Sequence, residues 1–159
     1  IDSIWIYVMI YPFLAWSIFS YKCEENFNQI LYSFALISMI TIVIFQLFPV
    51  GYPREFYPLP HVNSPSVNLF YKLRYLDSPM NCFPSLHVSL CFLFSFGHWS
   101  ESKKVFWVSL IITILISLST LTTKQHYIAD GVAGLILSFT IFTFVKRFTK
   151  IASPLEQQP

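Results

Sequence analysis

Long apolar runs separated by short polar turns dominate the chain. Crossing the ~30 Å hydrocarbon core of a bilayer takes about 20 apolar residues, and five segments approach this length. These segments run over 4–21, 30–48, 84–99, 105–122 and 127–145. The third contains three serines and two histidines, which predicts a helix inside a bundle rather than one surrounded by lipid. The pattern therefore predicts an all-α, polytopic membrane helix bundle with five transmembrane helices, and we expect a sixth upstream of the first residue.

The composition agrees with lipid as the main solvent of this chain. Of its 159 residues, 55% are hydrophobic and 11% are charged, whereas soluble domains carry about 25% charged residues. The net charge of +2 is too small to indicate a nucleic-acid partner. We expect residues 1–150 to form one transmembrane domain and residues 151–159 to form a short polar tail.

A proline-rich segment over 49–82 separates the second predicted span from the third. Together with Pro84 it holds seven of the ten prolines of the chain. Proline lacks an amide donor and fixes φ, so neither a long helix nor a central strand is expected there. Within the segment, residues 69–77 alternate bulky apolar side chains with two cations, which predicts a short element at the membrane interface.

The positions of lysine and arginine predict the orientation of the bundle. Six of these cations lie in the first loop, the turn at 100–104 and the C-terminal end, and four lie on the other side. Short loops rich in Lys and Arg face the cytoplasm. The loop over 49–82 is therefore expected to face the periplasm, the lumen or the exterior.

The sequence FPSLH over 83–87 opens the third predicted span. Pro84 is expected at the first helical position, where its missing amide is tolerated. Ser85 and His87 would then lie in the opening turn, where free amides and the helix dipole favour an anion. The alternative is a polar cap, with His87 hydrogen-bonded among lipid headgroups.

The sequence KQHYIAD over 124–130 opens the fifth predicted span. His126 and Asp130 are four residues apart, so they share one face of that helix. A carboxylate beside an imidazole fixes the tautomer of the imidazole and raises its basicity. Asp130 is the only acidic residue in the five predicted spans, and a charge at membrane depth is a functional hypothesis by default. Gly131 and Gly134, which follow, predict close helix packing rather than a phosphate loop.

Two other interpretations of this histidine and aspartate remain open. They could form a structural ion pair that closes the bundle. Alternatively, the two histidines and the carboxylate could bind zinc, although a zinc site leaves the nearby cations Arg54 and Lys124 unexplained. The alternating spans bring both motifs and both cations to the non-cytoplasmic end. Guanidinium and ammonium groups suit phosphate, so this combination favours a phosphate site over zinc.

The two motifs resemble the second and third signature motifs of the type 2 phosphatidic acid phosphatase superfamily. The form with Leu86 in place of the usual glycine is similar to the branch that contains inositol phosphorylceramide synthases. The resemblance covers the second to fifth predicted spans. It implies a phosphatase or phosphotransferase without metal or cofactor, acting on a lipid phosphate or phosphodiester in the bilayer.

The resemblance also implies a role for individual residues of the two motifs. His126 would be the nucleophile that forms a phosphohistidine intermediate, and Asp130 would orient it. His87 would protonate the leaving alkoxide as general acid. Ser85 and nearby amides would hold phosphate oxygens.

Two departures from the family pattern concern the cations that grip phosphate. Arg54 is followed by Glu55 instead of proline, and the lysine usual seven residues before the arginine is replaced by an apolar residue. Thr120 stands where the third motif usually has arginine. Lys124 is our candidate to replace the missing cation, so Arg54 and Lys124 are expected to bind phosphate together with Ser85.

Two other classes of protein share some of these features. A transporter or another non-catalytic membrane protein could use the same polar cluster to bind an anion or to join helices. Vanadate-dependent peroxidases share the motif architecture by resemblance. They are soluble proteins, so the apolar spans argue against them.

Overall fold

The chain folds into α-helices, as the apolar pattern predicts. The computed structural model describes residues 2–77 and 79–152. Within these ranges there is no strand, and Val50 and Asn81 form an isolated parallel bridge. The predicted tail at 151–159 lies outside the described residues from 153 onward, while 151 and 152 continue the last helix. The α-helices are α1 (Ile4–Val8), α2 (Ile10–Ser20), α3 (Glu24–Leu47), α4 (Pro65–Leu76), α5 (Leu86–Glu101), α6 (Lys103–Thr122) and α7 (Ile128–Ala152), with a 3₁₀ turn at Arg54–Phe56.

Three helices among the described residues are long and apolar enough to cross a membrane. They are α3, α6 and the Ile128–Thr149 part of α7, and at most 33% of the most apolar stretch of each is buried within the protein. Their other apolar side chains face outward, where lipid is the favourable solvent. The first predicted span is a shorter apolar helical region, Ile4–Ser20, and the third is a 16-residue helix. The protein is therefore an integral membrane protein with an all-α bundle.

The first predicted span is interrupted at Met9 rather than continuous. Pro12 has no amide to donate to the carbonyl of Val8, and its ring crowds that carbonyl. The helix therefore ends at Val8 and restarts at Ile10. The apolar run alone predicted one helix because an interruption of one residue does not change hydropathy.

Helix α5 lies at the centre of the bundle, as its polar residues predict. It packs against α2, α3, α6 and α7, and side chains around its whole circumference are buried. Between α5 and α6, the hydroxyls of Ser95 and Thr113 lie 2.8 Å apart, and Thr113 also donates to the Cys91 carbonyl at 3.1 Å. Such hydroxyl bonds join helices where packing against lipid gives little drive for association.

The loops predicted to be cytoplasmic meet at one end of the bundle. The Glu101 carboxylate accepts hydrogen bonds from the amides of Lys22 and Cys23, each at 3.2 Å. Lys146 Nζ donates to the hydroxyl of Ser100 at 3.1 Å. These contacts place the start of α3, the end of α5 and the Lys146 region of α7 at the same end of the bundle.

The described residues of the proline-rich segment include one α-helix, α4, which begins four residues before the predicted interfacial element. Ser64 caps its start by accepting a hydrogen bond from the Val67 amide at 3.3 Å, and Pro65 follows at the first turn. Serine at the cap and proline next to it are both favoured at a helix start. Helix α4 and the loop pack on α1 through a buried cluster of Ile4, Tyr7, Leu59 and Phe70.

Candidate active site

Ser85 marks the start of α5. Its side chain accepts a hydrogen bond from the Val88 amide at 3.4 Å, and the helix begins at Leu86. Pro84 therefore precedes the capping residue, and the prediction that it takes the first helical position is wrong. Serine is the better cap because its hydroxyl satisfies an amide that the helix leaves unpaired. His87 lies in the opening turn, and Ser85 is fully buried.

Main-chain contacts join the two motifs. The Ser85 amide donates to the Asp130 carbonyl at 3.0 Å, and His126 Nδ1 lies 2.9 Å from the Cys82 carbonyl. A carbonyl oxygen can only accept, so this contact requires the imidazole proton on Nδ1. The lone pair of His126 is then on Nε2, the nitrogen that does not contact Cys82.

Asp130 is buried beside His126 and has a second partner. Its Oδ2 atom lies 3.5 Å from His126 Nδ1 and accepts a hydrogen bond from the Tyr127 amide at 2.8 Å. The carboxylate thus supports the first turn of α7 and also places negative charge beside the imidazole. The Cys82 carbonyl is the closer partner of Nδ1, which the sequence did not indicate.

His87 faces His126 across the site. Their ring centroids are 6.0 Å apart in an edge-on arrangement, so one small group can contact both. The buried hydroxyl of Tyr7 lies 3.4 Å from His87 Nε2. Sequence reasoning missed Tyr7 because one tyrosine in an apolar helix looks like any interfacial aromatic residue.

Arg54 lies near the site, and four acceptors already bind its guanidinium. It donates to the Asp77 carboxylate at 3.2 Å, the Asp77 carbonyl at 2.7 Å and the Arg74 carbonyl at 3.3 Å. A further bond at 2.5 Å reaches Oε1 of Gln125, the residue before His126. Arg54 therefore ties the end of α4 to the turn that presents His126. An anion that binds Arg54 must share it with Asp77.

Lys124 is the predicted site residue that stands apart from the others. Its backbone is left-handed, with φ of 56°, and its side chain is exposed. Nζ lies 5.0 Å from the centre of the Tyr57 ring, a cation–π contact. Residue spacing alone placed Lys124 beside His126, but the left-handed turn between α6 and α7 directs its side chain outward.

The residues closest to a metal-binding arrangement differ from the predicted zinc set. Among the described residues, ligand atoms of Cys82, His126 and Asp130 lie within 4.8 Å of one another, whereas His87 is not part of this group. Burial raises the pKa of the Cys82 thiol to about 11, and the nearby Asp130 carboxylate acts in the same direction. The thiol donates to the Pro79 carbonyl at 3.2 Å. Metals bind the thiolate, so this environment does not favour a metal.

Comparison with known proteins identifies the family. The model of the PAP2 superfamily matches residues 3–144. The uncharacterized protein MJ0662 of Methanocaldococcus jannaschii is 32% identical over 74 residues, which are 46% of this chain and 30% of that protein. No solved structure matches the chain.

The family match confirms the superfamily that the two motifs indicate. Members of the superfamily are phosphatases, and the activity and substrate of this chain are proposals. The narrower likeness to inositol phosphorylceramide synthases stays a proposal. Because the match covers nearly the whole described structure, including both motifs and Arg54, the chain belongs to the PAP2 superfamily.

Proposed function

We propose that the protein transfers the phosphoryl group of a lipid phosphate or phosphodiester through a phosphohistidine formed on His126. The observation that carries the proposal is the contact of His126 Nδ1 with the Cys82 carbonyl at 2.9 Å. It holds the imidazole in the tautomer whose Nε2 lone pair is available for attack. The Asp130 carboxylate at 3.5 Å stabilises the positive charge that develops on the ring.

The reaction has two steps. In the first, the Nε2 lone pair attacks phosphorus and the bond to the leaving oxygen breaks. The electron pair stays on that oxygen, which takes a proton from His87. In the second, the oxygen of water or of an alcohol attacks the phosphohistidine and gives its proton to His87. The nitrogen–phosphorus bond then breaks, and its electron pair returns to Nε2.

The remaining groups would hold the phosphoryl oxygens. Ser85 sits at the start of α5, where free amides and the helix dipole favour negative charge. Its hydroxyl oxygen accepts from the Val88 amide, so its own proton is free for a phosphate oxygen. Arg54 would add positive charge after giving up part of its contact with Asp77. Lys124 would attract anions from outside the site rather than contact the phosphorus.

The acceptor decides whether the enzyme is a phosphatase or a phosphotransferase. Water as acceptor gives hydrolysis, and an alcohol of a second lipid or sugar gives transfer. The resemblance of FPSLH to the inositol phosphorylceramide synthase branch favours transfer. The Lys and Arg distribution favours an active site on the non-cytoplasmic side.

The test is phosphate release and headgroup transfer from a panel of lipid phosphates and phosphodiesters in detergent micelles, with a chelator present. Wild type is compared with His126→Ala and with the matched control His61→Ala, which changes an exposed histidine of the loop. We expect chelator-resistant activity in wild type and in the control, and its loss in His126→Ala. A substrate labelled in its phosphate group should leave an acid-labile label on the wild type and none on His126→Ala. Equal activity in the wild type and His126→Ala would refute the assignment of His126 as the nucleophile.

A non-catalytic anion-binding protein is the second candidate. It is favoured by one observation: protein acceptors bind both Nη1 and Nη2 of Arg54, which leaves less of its charge to stabilise a phosphoryl-transfer transition state. This candidate predicts phosphate binding without turnover and without label on His126. Turnover in the lipid panel rules it out.

A further inference from the structure

The side chain of Gln125 is buried between Arg54 and the backbone that presents His126. It is 2% exposed. Its Oε1 atom accepts from Arg54 Nη2. The main-chain amides of Gln125 and His126 both donate to the Thr120 carbonyl. The side chain is therefore fixed at one end by the guanidinium and at the other by the turn before α7.

The contact with Arg54 fixes which way the Gln125 amide points. The oxygen and nitrogen of a glutamine amide are assigned from their partners. A guanidinium has only donors, so the atom facing Arg54 must be the oxygen. The Nε2 group consequently points away from Arg54, where it is buried and has no hydrogen-bond partner among the described residues.

A buried donor without a partner is costly, so an acceptor is expected at this position when the protein works. Arg54 carries a second such donor, its buried Nε atom. Two unsatisfied donors thus belong to one hydrogen-bonded pair, next in the chain to His126. An oxyanion is a ligand that can accept from such donors, and positive charge from Arg54 favours it.

We propose that Gln125 is a phosphate-binding residue whose Nε2 donates to a phosphoryl oxygen of the substrate. This inference rests on the proposed function, because it places the phosphorus within reach of His126. A hydrogen bond from a neutral amide to a charged oxygen would add affinity without adding charge to the buried turn. It would also let Arg54 remain partly paired with Asp77 while the substrate is bound.

The test uses Gln125→Glu in the full chain, purified in detergent micelles, with inorganic phosphate as the probe. Glutamate keeps an oxygen for Arg54 but replaces the donor with a negatively charged acceptor. The phosphate Kd is measured from the rise in melting temperature with phosphate concentration. The matched control is Gln46→Glu, which adds the same charge at an exposed position near the end of α3.

We expect Gln125→Glu to weaken phosphate binding by about tenfold to 150-fold, and Gln46→Glu to leave it within about twofold. A purely structural role predicts wild-type phosphate binding in Gln125→Glu, since Arg54 keeps its acceptor. If Gln125→Glu has a lower melting temperature than the wild type without phosphate, the phosphate Kd of Gln125→Met is compared with that of the wild type instead. Methionine has neither a donor nor a charge. Wild-type Kd in a folded variant at this position overturns the proposal.

Labelling of His126 separates this inference from the proposed function. A labelled wild type together with unchanged phosphate binding in Gln125→Glu refutes the role of Gln125 and leaves the nucleophile standing. Phosphate binding that falls in Gln125→Glu, in a protein that never forms phosphohistidine, supports the site and refutes the reaction. A wild type that neither binds phosphate nor becomes labelled refutes both.

Discussion

Replacing Gly134 with alanine tests how closely α5 and α7 must approach to build the site. A Cβ atom at this position would lie 2.7 Å from the Ser85 carbonyl oxygen and 3.0 Å from Ser89 Oγ. The carbonyl cannot turn away, because the amide and the hydroxyl of Ser89 both donate to it, at 3.0 and 2.8 Å. Ordinary contact begins at 3.4 Å, so α7 must move by about 3.4 − 2.7 = 0.7 Å relative to α5.

This displacement should lower activity more than stability. Overpacking costs about 1–3 kcal/mol, while alanine in place of glycine returns about 1 kcal/mol of helix propensity. The free energy of unfolding should therefore fall by no more than about 2 kcal/mol. The movement would disturb the hydrogen bond from the Ser85 amide to the Asp130 carbonyl, which joins the two motifs. Because a misplacement of about 1 Å can cost about 100-fold in rate, kcat should fall by about tenfold or more.

The assay is kcat for phosphate release together with the melting temperature in detergent. Gly131→Ala is the matched control, since a Cβ at Gly131 would have nothing within 4 Å. It should keep wild-type kcat and gain up to about 1 kcal/mol of stability. Wild-type kcat in Gly134→Ala, or an equal loss in Gly131→Ala, would refute the reasoning.

Three further substitutions test contacts of the site. Tyr7→Phe removes the hydroxyl 3.4 Å from His87 Nε2, so kcat should fall about twofold to tenfold with little change in KM; an unchanged kcat would show that the hydroxyl does not position His87. Cys82→Ser should keep activity within about twofold, with or without chelator, because His126 contacts the Cys82 carbonyl. A loss of tenfold or more, as expected for a metal ligand, would contradict this. Asp77→Asn removes the charge 3.2 Å from Arg54, so the phosphate-ester KM should fall up to about fivefold, most at low salt. A constant KM would mean that Arg54 does not bind the phosphate.

The lengths of the apolar segments, and the polar residues within one of them, made most of the fold predictable. Helix α5 is recognisable in the sequence because serines and histidines interrupt an apolar run, and lipid would not solvate them. The break at Met9 was less visible, since it depends on the carbonyl opposite Pro12 rather than on hydropathy. The start of α4 was missed because the apolar alternation begins later than the Ser64-Pro65 signal.

The candidate site was predictable only where side chains form a local pattern. His126 and Asp130 are recognisable from their helical spacing, but the closest partner of His126 is a main-chain carbonyl, which every residue possesses. Gln125 gave no signal of its own, because burial and the contact with Arg54 arise from the fold. Lys124 shows the reverse case, since nearness in sequence suggested a contact that the left-handed turn prevents.

The length of α5 sets the depth at which chemistry takes place. Its 16 residues measure about 24 Å, and the 24 residues of α3 measure about 36 Å. The two helices are level at Glu101, where the Cys23 amide binds its carboxylate, so the difference of about 12 Å falls at the opposite end. The start of α5, with Ser85 and His87, therefore lies about 12 Å short of the level at which α3 ends, and the described residues between 49 and 84 connect the two levels. To reach the proposed phosphohistidine at that level, water would have to pass the loop, whereas an alcohol of a membrane lipid would approach from within the bilayer. In the proposed reaction the balance between hydrolysis and transfer would thus depend on the loop over 49–82, and exchanging 49–82 between relatives should change the product while both motifs stay intact.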